Sequence, residues 1–500
     1  MNCSKISVTA SLVSVAALLP SSVAAAEAKK MNVLFIISDD LRAELACYGD
    51  TIAQTPNIDQ LAARGVRFER SYCQYPLCCP SRTSMLTGRH PTTTNVYGNR
   101  NWFGAQHPDW TSLPKYFREH GYTTLRSGKI FHEGIDDTEA WVEGGEARRF
   151  GEDAPKQTKE TPTAVKLATA ADDAEHVTKM IAQDRSSAVK SDRWEATPDD
   201  EDPPQTDTVK TDKAIELLQR YNGGDKPFFL AFGLSKPHSP LVAPKRFFDL
   251  YKVDAVPLPV DYAPRPTVPE GFPAGSIRPN NADLFIARDS TPQTAREMKG
   301  AYLACVSYVD WNVGRMLAEL DRLGLRESTI VIFWGDNGYQ LGEKGKWSKA
   351  GSLWEQGARV PLIIYDPRAT GNGKVSPRVV QAVDFYPTLV DLCDLPPAPG
   401  LEGISLRPLL ENPQRSWDHP AFTVWNEHGR GITGVVVRTE RWRYAEFFGR
   451  GAGAMLTDPI NDPYELKNLV ADPQYAAVVK ELAPLARKYV EGKTEPAPKD

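Results

Sequence analysis

Four short apolar runs constrain the fold of this chain more than any other feature. Residues 32–38 (NVLFIIS), 228–233 (FFLAFG), 329–334 (TIVIFW) and 360–365 (VPLIIY) carry no polar alternation. A strand with one wet face alternates polar and apolar side chains. An unbroken apolar run needs cover on both faces, as in a parallel sheet packed between helices. Helical patterns lie between these runs. Thr55 can cap and Pro56 suits a first turn; Ile58, Leu61 and Ala62 form one apolar face, and Gly65 closes the segment. Residues 66–72 can then return as a strand, 213–220 read as helical, and 297–323 form a long amphipathic helix ended by Gly324. This alternation predicts an α/β fold with a large, mostly parallel sheet sandwiched by helices.

Other stretches depart from that pattern. Residues 135–207 are polar and poor in aromatics and read as a surface insertion; residues 252–280 are proline-rich and read as a wrapping loop. The pattern changes near 406–413. Residues 422–425, 434–438 and 442–447 resemble short antiparallel strands, and 473–489 a closing helix. The chain therefore divides into a main domain, 27–405, and a smaller C-terminal antiparallel-sheet subdomain, 406–500. At the start, Lys5, the apolar 6–19, Pro20 and Ala24-Ala25-Ala26 read as a signal peptide over 1–26. No segment has the ~20 apolar residues of a membrane span, so an exported, soluble protein is expected. A net charge of -5 gives no electrostatic case for nucleic acid. Seven cysteines, Cys3 among the signal residues, do not suggest a disulfide scaffold. The absence of an N-x-S/T sequon after residue 26 points to a bacterial periplasm.

The chemistry concentrates at strand ends. Asp39 and Asp40 follow the first apolar run, and Asp336 and Asn337 follow the third. In open α/β sheets, ligands bind at the carboxyl ends of strands. Three carboxylates and an amide oxygen suit Ca²⁺ or Mg²⁺ and not Zn²⁺. Cys73, Cys78 and Cys79 lack the spacing of a zinc site. Lys129 and His132, three residues apart, His238 after the second run, and Lys349 could surround a tetrahedral anion with cationic partners. Pro80 has no N–H and biases Cys79 toward extended geometry, so the segment at Cys78 suits presentation as an extended strip.

Cys78-Cys79-Pro80-Ser81-Arg82, continued by Leu86-Thr87-Gly88-Arg89, matches C-x-P-S-R-x-x-x-L-T-G-R at every fixed position. With the strand-end residues, it resembles the sulfatase family of the alkaline-phosphatase-like superfamily over nearly all of the chain after residue 26. Within that family, NVLFIISDDLRAELACYGD, CCPSRTSMLTGRHP, SGKIFH, SKPHSP and GDNGYQLGEKGKWSK are most similar to blocks of the iduronate-2-sulfatase branch. The resemblance implies hydrolysis of a sulfate ester, the 2-O-sulfate of iduronate or a related uronic acid, in glycosaminoglycan degradation. It implies that a formylglycine-generating or anaerobic sulfatase-maturating enzyme oxidises Cys78 to formylglycine, with Cys79 a bystander. A gem-diol of that aldehyde then attacks sulfur. One divalent cation, Ca²⁺ favoured over Mg²⁺, sits on Asp39, Asp40, Asp336, Asn337 and the modified Cys78. Arg82 orients the diol, Lys129 and Lys349 offset sulfate charge, His238 and Lys349 assist the leaving oxygen, and His132 takes a proton. The partner is a sulfated glycan or oligosaccharide, whose sugar Trp425-Asn426-Glu427-His428 and residues 95–103 could line.

Two positions depart from the branch: Asn337 stands where it often has His, and Tyr339 where it has Trp. Other readings stay open: a sulfatase for aryl or other glycan sulfates, a phosphodiesterase or phosphonate hydrolase of the superfamily, or a non-catalytic glycan-binding protein if Cys78 remains a thiol.

Overall fold

The computed structural model describes residues 1, 30–150, 190–427 and 431–491. The signal segment expected at 1–26 lies outside them apart from Met1, as does 151–189 of the expected insertion. Among the described residues no helix is long and apolar enough to cross a membrane.

The main sheet has seven strands: β1 (Asn32–Asp39), β2 (Val66–Tyr72), β3 (Thr123–Gly128), β5 (Phe228–Pro237), β7 (Thr329–Gly335), β8 (Arg359–Tyr365) and β9 (Val375–Gln381). β4 (Trp194–Thr197) and β6 (Leu241–Pro244) form a separate parallel pair. The main sheet runs β3-β5-β1-β7-β8-β2-β9. Its neighbours are parallel except at β8, which is antiparallel to both β7 and β2. The unbroken apolar runs follow from this sandwich. On β1, Val33, Phe35 and Ile37 face one core while Leu34 and Ile36 face the other. On β7, Ile330, Ile332 and Trp334 face the first, and Val331 and Phe333 the second. The second core is roofed by the 31-residue helix Pro292–Arg322. That helix starts five residues before the expected 297. Its first turn is polar, so apolar periodicity cannot mark it. A capping box marks it instead: Thr294 N donates to Thr291 Oγ1 at 3.2 Å and Thr291 N to Thr294 Oγ1 at 2.9 Å.

The start of the expected insertion is not a surface loop. Ile135, Ala140 and Trp141 join the first core. The buried Asp136 accepts hydrogen bonds from Trp141 Nε1 (3.1 Å), Arg126 Nη1 (3.2 Å) and Glu146 N (2.7 Å). Its polar composition reflects a satisfied buried network. Residues 206–207 already belong to the helix Thr206–Tyr221, longer than the expected 213–220.

The C-terminal part is a four-stranded antiparallel sheet, β10 (Ala421–Asn426), β11 (Ile432–Arg438), β12 (Arg443–Phe447) and β13 (Gly453–Thr457). The helix Ala476–Val490 packs on it through Leu482, Ala486, Tyr489 and Val490.

Candidate active site

Four neighbouring parallel strands, β3, β5, β1 and β7, end on one side of the sheet. Their tips deliver in turn Lys129, His238, Asp39 with Asp40, and Asp336 with Asn337. Asp40 turns the chain at φ 62°, a left-handed conformation that a short polar side chain tolerates. The turn is pinned by Tyr302, whose hydroxyl donates to Asp40 O at 2.7 Å, and by Asp40 N, which donates to Asp336 Oδ1 at 3.0 Å.

Cys78 is the first residue of the helix Cys78–Thr87, all ten residues of which are buried. This corrects the extended geometry expected at Cys79. Pro80 falls in the first turn, where a missing N–H leaves no intrahelical bond unmade. Cys78 Sγ lies 3.2 Å from Asp39 Oδ1 and 3.9 Å from Asp40 Oδ1. One turn on, the fully buried Arg82 donates from Nε to Asp336 Oδ2 at 2.7 Å and from Nη2 to Asp39 Oδ1 at 3.3 Å. Its Nη1 donates to the carbonyls of Lys129 and Ile130, and Ser81 Oγ donates to Asp336 O.

Oxygen atoms of Asp39, Asp40 and Asp336 all lie within 4.8 Å of one another. So many carboxylates in one buried space require compensating charge. Lys129 pairs with Asp39, and Lys349 Nζ donates to Asp40 Oδ2 at 2.6 Å. Burial pushes the Asp39 carboxyl up, but Lys129, His238 and Arg82 outweigh it and hold it well below the ordinary range. Burial, with Asp39 and Asp40 nearby, pushes Asp336 up to about 7 despite Arg82. Burial and Asp39 also push the Cys78 thiol up. Asn337 Nδ2 donates to Asp40 Oδ1 at 2.8 Å, while the buried Asn337 Oδ1 finds no donor among the described residues. That orphaned oxygen beside three carboxylates fits a hard divalent cation.

His238 Nε2 is 3.8 Å from Asp40 Oδ2, and its Nδ1 lies 2.6 Å from Ser239 O. Because a carbonyl only accepts, Nδ1 carries the proton there and Nε2 faces the carboxylates. His132 is half-buried; burial, then Lys129, push it down to about 2, so the ring is neutral. Its Nδ1 has no hydrogen-bond partner among the described residues. The carboxylate and amide residues, Cys78, Arg82, Lys129, His238 and Lys349 are thus joined by direct contacts, with His132 beside them.

Sequence reasoning missed Asp283, whose Oδ1 lies 3.5 Å from Lys349 Nζ. Burial lowers Lys349, but Asp283 and Asp40 outweigh it and hold the ammonium well above its ordinary value. No motif marks Asp283. It is brought in because Asn281 Oδ1 accepts Trp347 N at 2.8 Å and so ties its loop to the lysine's segment. Of the aromatics of 95–103, Trp102 and Phe103 belong to the first core, while Tyr97 stays half-buried beside the C-terminal core. Their segment backs the Cys78–Thr87 helix, where Asn99 Oδ1 accepts Cys79 N at 3.2 Å and Asn101 O accepts Cys79 Sγ–H at 3.4 Å. Trp425 is also core, with Nε1 donating to Glu427 Oε2 at 2.6 Å; His428 lies outside the described residues.

The Sulfatase family model matches residues 31–395, and the model for the N-sulphoglucosamine sulphohydrolase C-terminal region matches 342–490. The chain is 34% identical to iduronate 2-sulfatase of Homo sapiens over 406 residues, 73% of this chain and 69% of that protein. It is 30% identical to iduronate 2-sulfatase of Mus musculus, over 91% of this chain and 93% of that protein. The phosphonate monoester hydrolase of Agrobacterium radiobacter superposes with a TM-score of 0.70 at 22% identity, covering 93% of this chain and 96% of that one. At that identity the likeness is one of fold.

Proposed function

Because this chain belongs to the sulfatase family of sulfate ester hydrolases, we propose that it removes the 2-O-sulfate of iduronate or a related uronic acid from a sulfated glycan, using Cys78 after oxidation. The observation that carries this reading is the convergence of Asp39, Asp40 and Asp336 within 4.8 Å of one another, with Cys78 Sγ 3.2 Å from the first. The uronate specificity is supported by likeness to the two mammalian iduronate 2-sulfatases. Export belongs to the same proposal and rests on residues 1–26, and its destination in a bacterial periplasm on the lack of an N-x-S/T sequon after residue 26.

Asp39, Asp40, Asp336 and Asn337 would hold Ca²⁺ or Mg²⁺, which would supply positive charge, and Cys78, once oxidised to formylglycine, would supply a hydrated carbonyl as nucleophile. The chain's own residues do the rest. Arg82 orients the Cys78-derived group and ties Asp39 to Asp336. Lys129 and Lys349 face the sulfate oxygens and offset charge that grows on them in the transition state. His238, when its Nε2 also holds a proton, hands that proton with the help of Lys349 to the departing sugar oxygen. His132, whose Nδ1 has no hydrogen-bond partner among the described residues, takes a proton as sulfate is released.

The test is a panel of defined disaccharides bearing sulfate at single positions, with desulfation read by mass spectrometry, alongside aryl sulfates and phosphonate monoesters. Protein from a host that makes formylglycine should release sulfate from 2-O-sulfated uronate, carry an aldehyde at Cys78, and lose turnover as Cys78→Ala. Preferential phosphonate cleavage, or turnover surviving in Cys78→Ala, would sink the reading.

A further inference from the structure

The end of β5 leaves its ladder just before the candidate acid. β1 and β5 pair in step until Ser38 stands opposite Leu234; the next β1 residue, Asp39, stands opposite Pro237. Ser235 and Lys236 are extra on the β5 side, a bulge of the kind that re-aims side chains beside active sites. Their N–H groups lose the ladder as an acceptor and need another partner.

One carboxylate takes both. Ser235 N donates to Asp207 Oδ1 and Oδ2, each at 2.9 Å, and Lys236 N donates to Oδ2 at 2.9 Å. Asp207 is only 2% exposed and sits in the first turn of the Thr206–Tyr221 helix, where the helix dipole favours an anion. Lys210 Nζ, 3.4 Å from Oδ1, balances its charge. The bulge is pinned from its other side as well: Ser38 Oγ donates to Lys236 O at 2.7 Å. From this anchored corner hangs the histidine. His238 N donates to Ser235 O at 3.1 Å, and Lys236 Nζ donates to the carbonyls of His238 and Pro240.

We propose that Asp207 is a positioning residue for sulfate-ester cleavage: by gripping the Ser235–Lys236 bulge it sets where the His238 imidazole points. This rests on the role given to His238 above. Asp207 touches neither the carboxylate cluster nor Cys78 in any hydrogen bond or ion pair among the described residues. Its influence on turnover therefore runs through the histidine.

A double-mutant cycle tests this on formylglycine-bearing protein, with a 2-O-sulfated uronate disaccharide as the probe and thermal melts as the check on folding. Displacing a reacting group by about 1 Å can cost about 100-fold. We expect Asp207→Ala to lower kcat/KM on that order, chiefly through kcat, and Asp207→Asn, which keeps one acceptor oxygen, to lower it less. In a His238→Ala background each change should cost less than about twofold, the range within which uncoupled effects scatter. Equal losses in both backgrounds would overturn the proposal, as would full activity in folded Asp207→Ala. Should the alanine variant not fold, the asparagine variant carries the same comparison. Undiminished turnover in His238→Ala alone would remove the histidine's role itself, a failure separate from non-coupling.

Discussion

Arg82 spends nearly its whole guanidinium on holding two strand tips together. Its Nε and Nη2 reach Asp336 and Asp39, and Nη1 reaches backbone carbonyls beyond β3. Lysine has a single nitrogen and cannot bridge carboxylates in this planar fashion. Arg82→Met would leave buried carboxylates facing one another. Breaking a buried pair typically costs about 3–5 kcal/mol. Urea melts in a chelator should show a loss of that order, partly recovered by millimolar Ca²⁺, because a cation bound only by the folded state stabilises it. Unchanged melts in chelator would show that the guanidinium is not what restrains the acids. Much of the site was readable in the sequence because its parts are local: a motif around Cys78, and polar residues directly after apolar strands. Asp207 and Asp283 were not readable. They act across 28 and 66 residues of chain, and no spacing rule announces such a meeting.

At the scale of elements, central strands were legible and marginal ones were not. β1, β5, β7 and β8 are covered on both faces and read as apolar runs. β3 and β9 are the sheet's two edges and keep polar residues, with Pro377 tolerated in β9. Capping was misread for a related reason. Thr55 was expected to cap the helix Pro56–Arg64, but its hydroxyl donates to Asp59 Oδ1 and accepts Ala46 N, each at 3.1 Å. The helix is capped from outside instead. Asp310, on the long Pro292–Arg322 helix, accepts Asn57 N at 3.0 Å and Ile58 N at 2.8 Å through one oxygen and Asn57 Nδ2 at 2.7 Å through the other. Gly314 permits this approach, since a Cβ there would meet the Asn57 side chain at 2.4 Å. Asp310→Ala should destabilise the protein by about 1–3 kcal/mol, with faster amide exchange at 57 and 58, while Asp310→Asn loses less. Identical effects of the two substitutions would argue that the oxygen shared by the two amides is not the cap.

Across the whole molecule, the two sheets meet at a buried ionic knot. Glu355 accepts from Tyr72 of β2 at 2.6 Å and from Arg438 of β11 at 3.3 Å, and lies 3.6 Å from Arg443 of β12. Arg443 also pairs with Glu465 at 2.9 Å. Burial raises the Glu355 carboxyl, but Arg438 and Arg443 outweigh it and hold it at about 2. A depressed folded value stabilises the protein above the unfolded value near 4.5, and that contribution is lost as pH falls toward 2. Glu355→Gln should therefore cost on the order of 3 kcal/mol at neutral pH and flatten the stability curve between about pH 4.5 and 2. An acid limb identical to that of the parent would assign it to other groups. The packing of the Cys78 helix has a reach beyond stability. With all ten of its residues buried in a formed helix, Cys78 no longer offers a maturating enzyme an extended strip to grip once the chain has closed. Under the chemistry proposed here, maturation and folding run as a race during biosynthesis. Molecules that fold first are locked as intact but inert thiols, so the active fraction of a preparation records who won that race and not how robust the finished protein is.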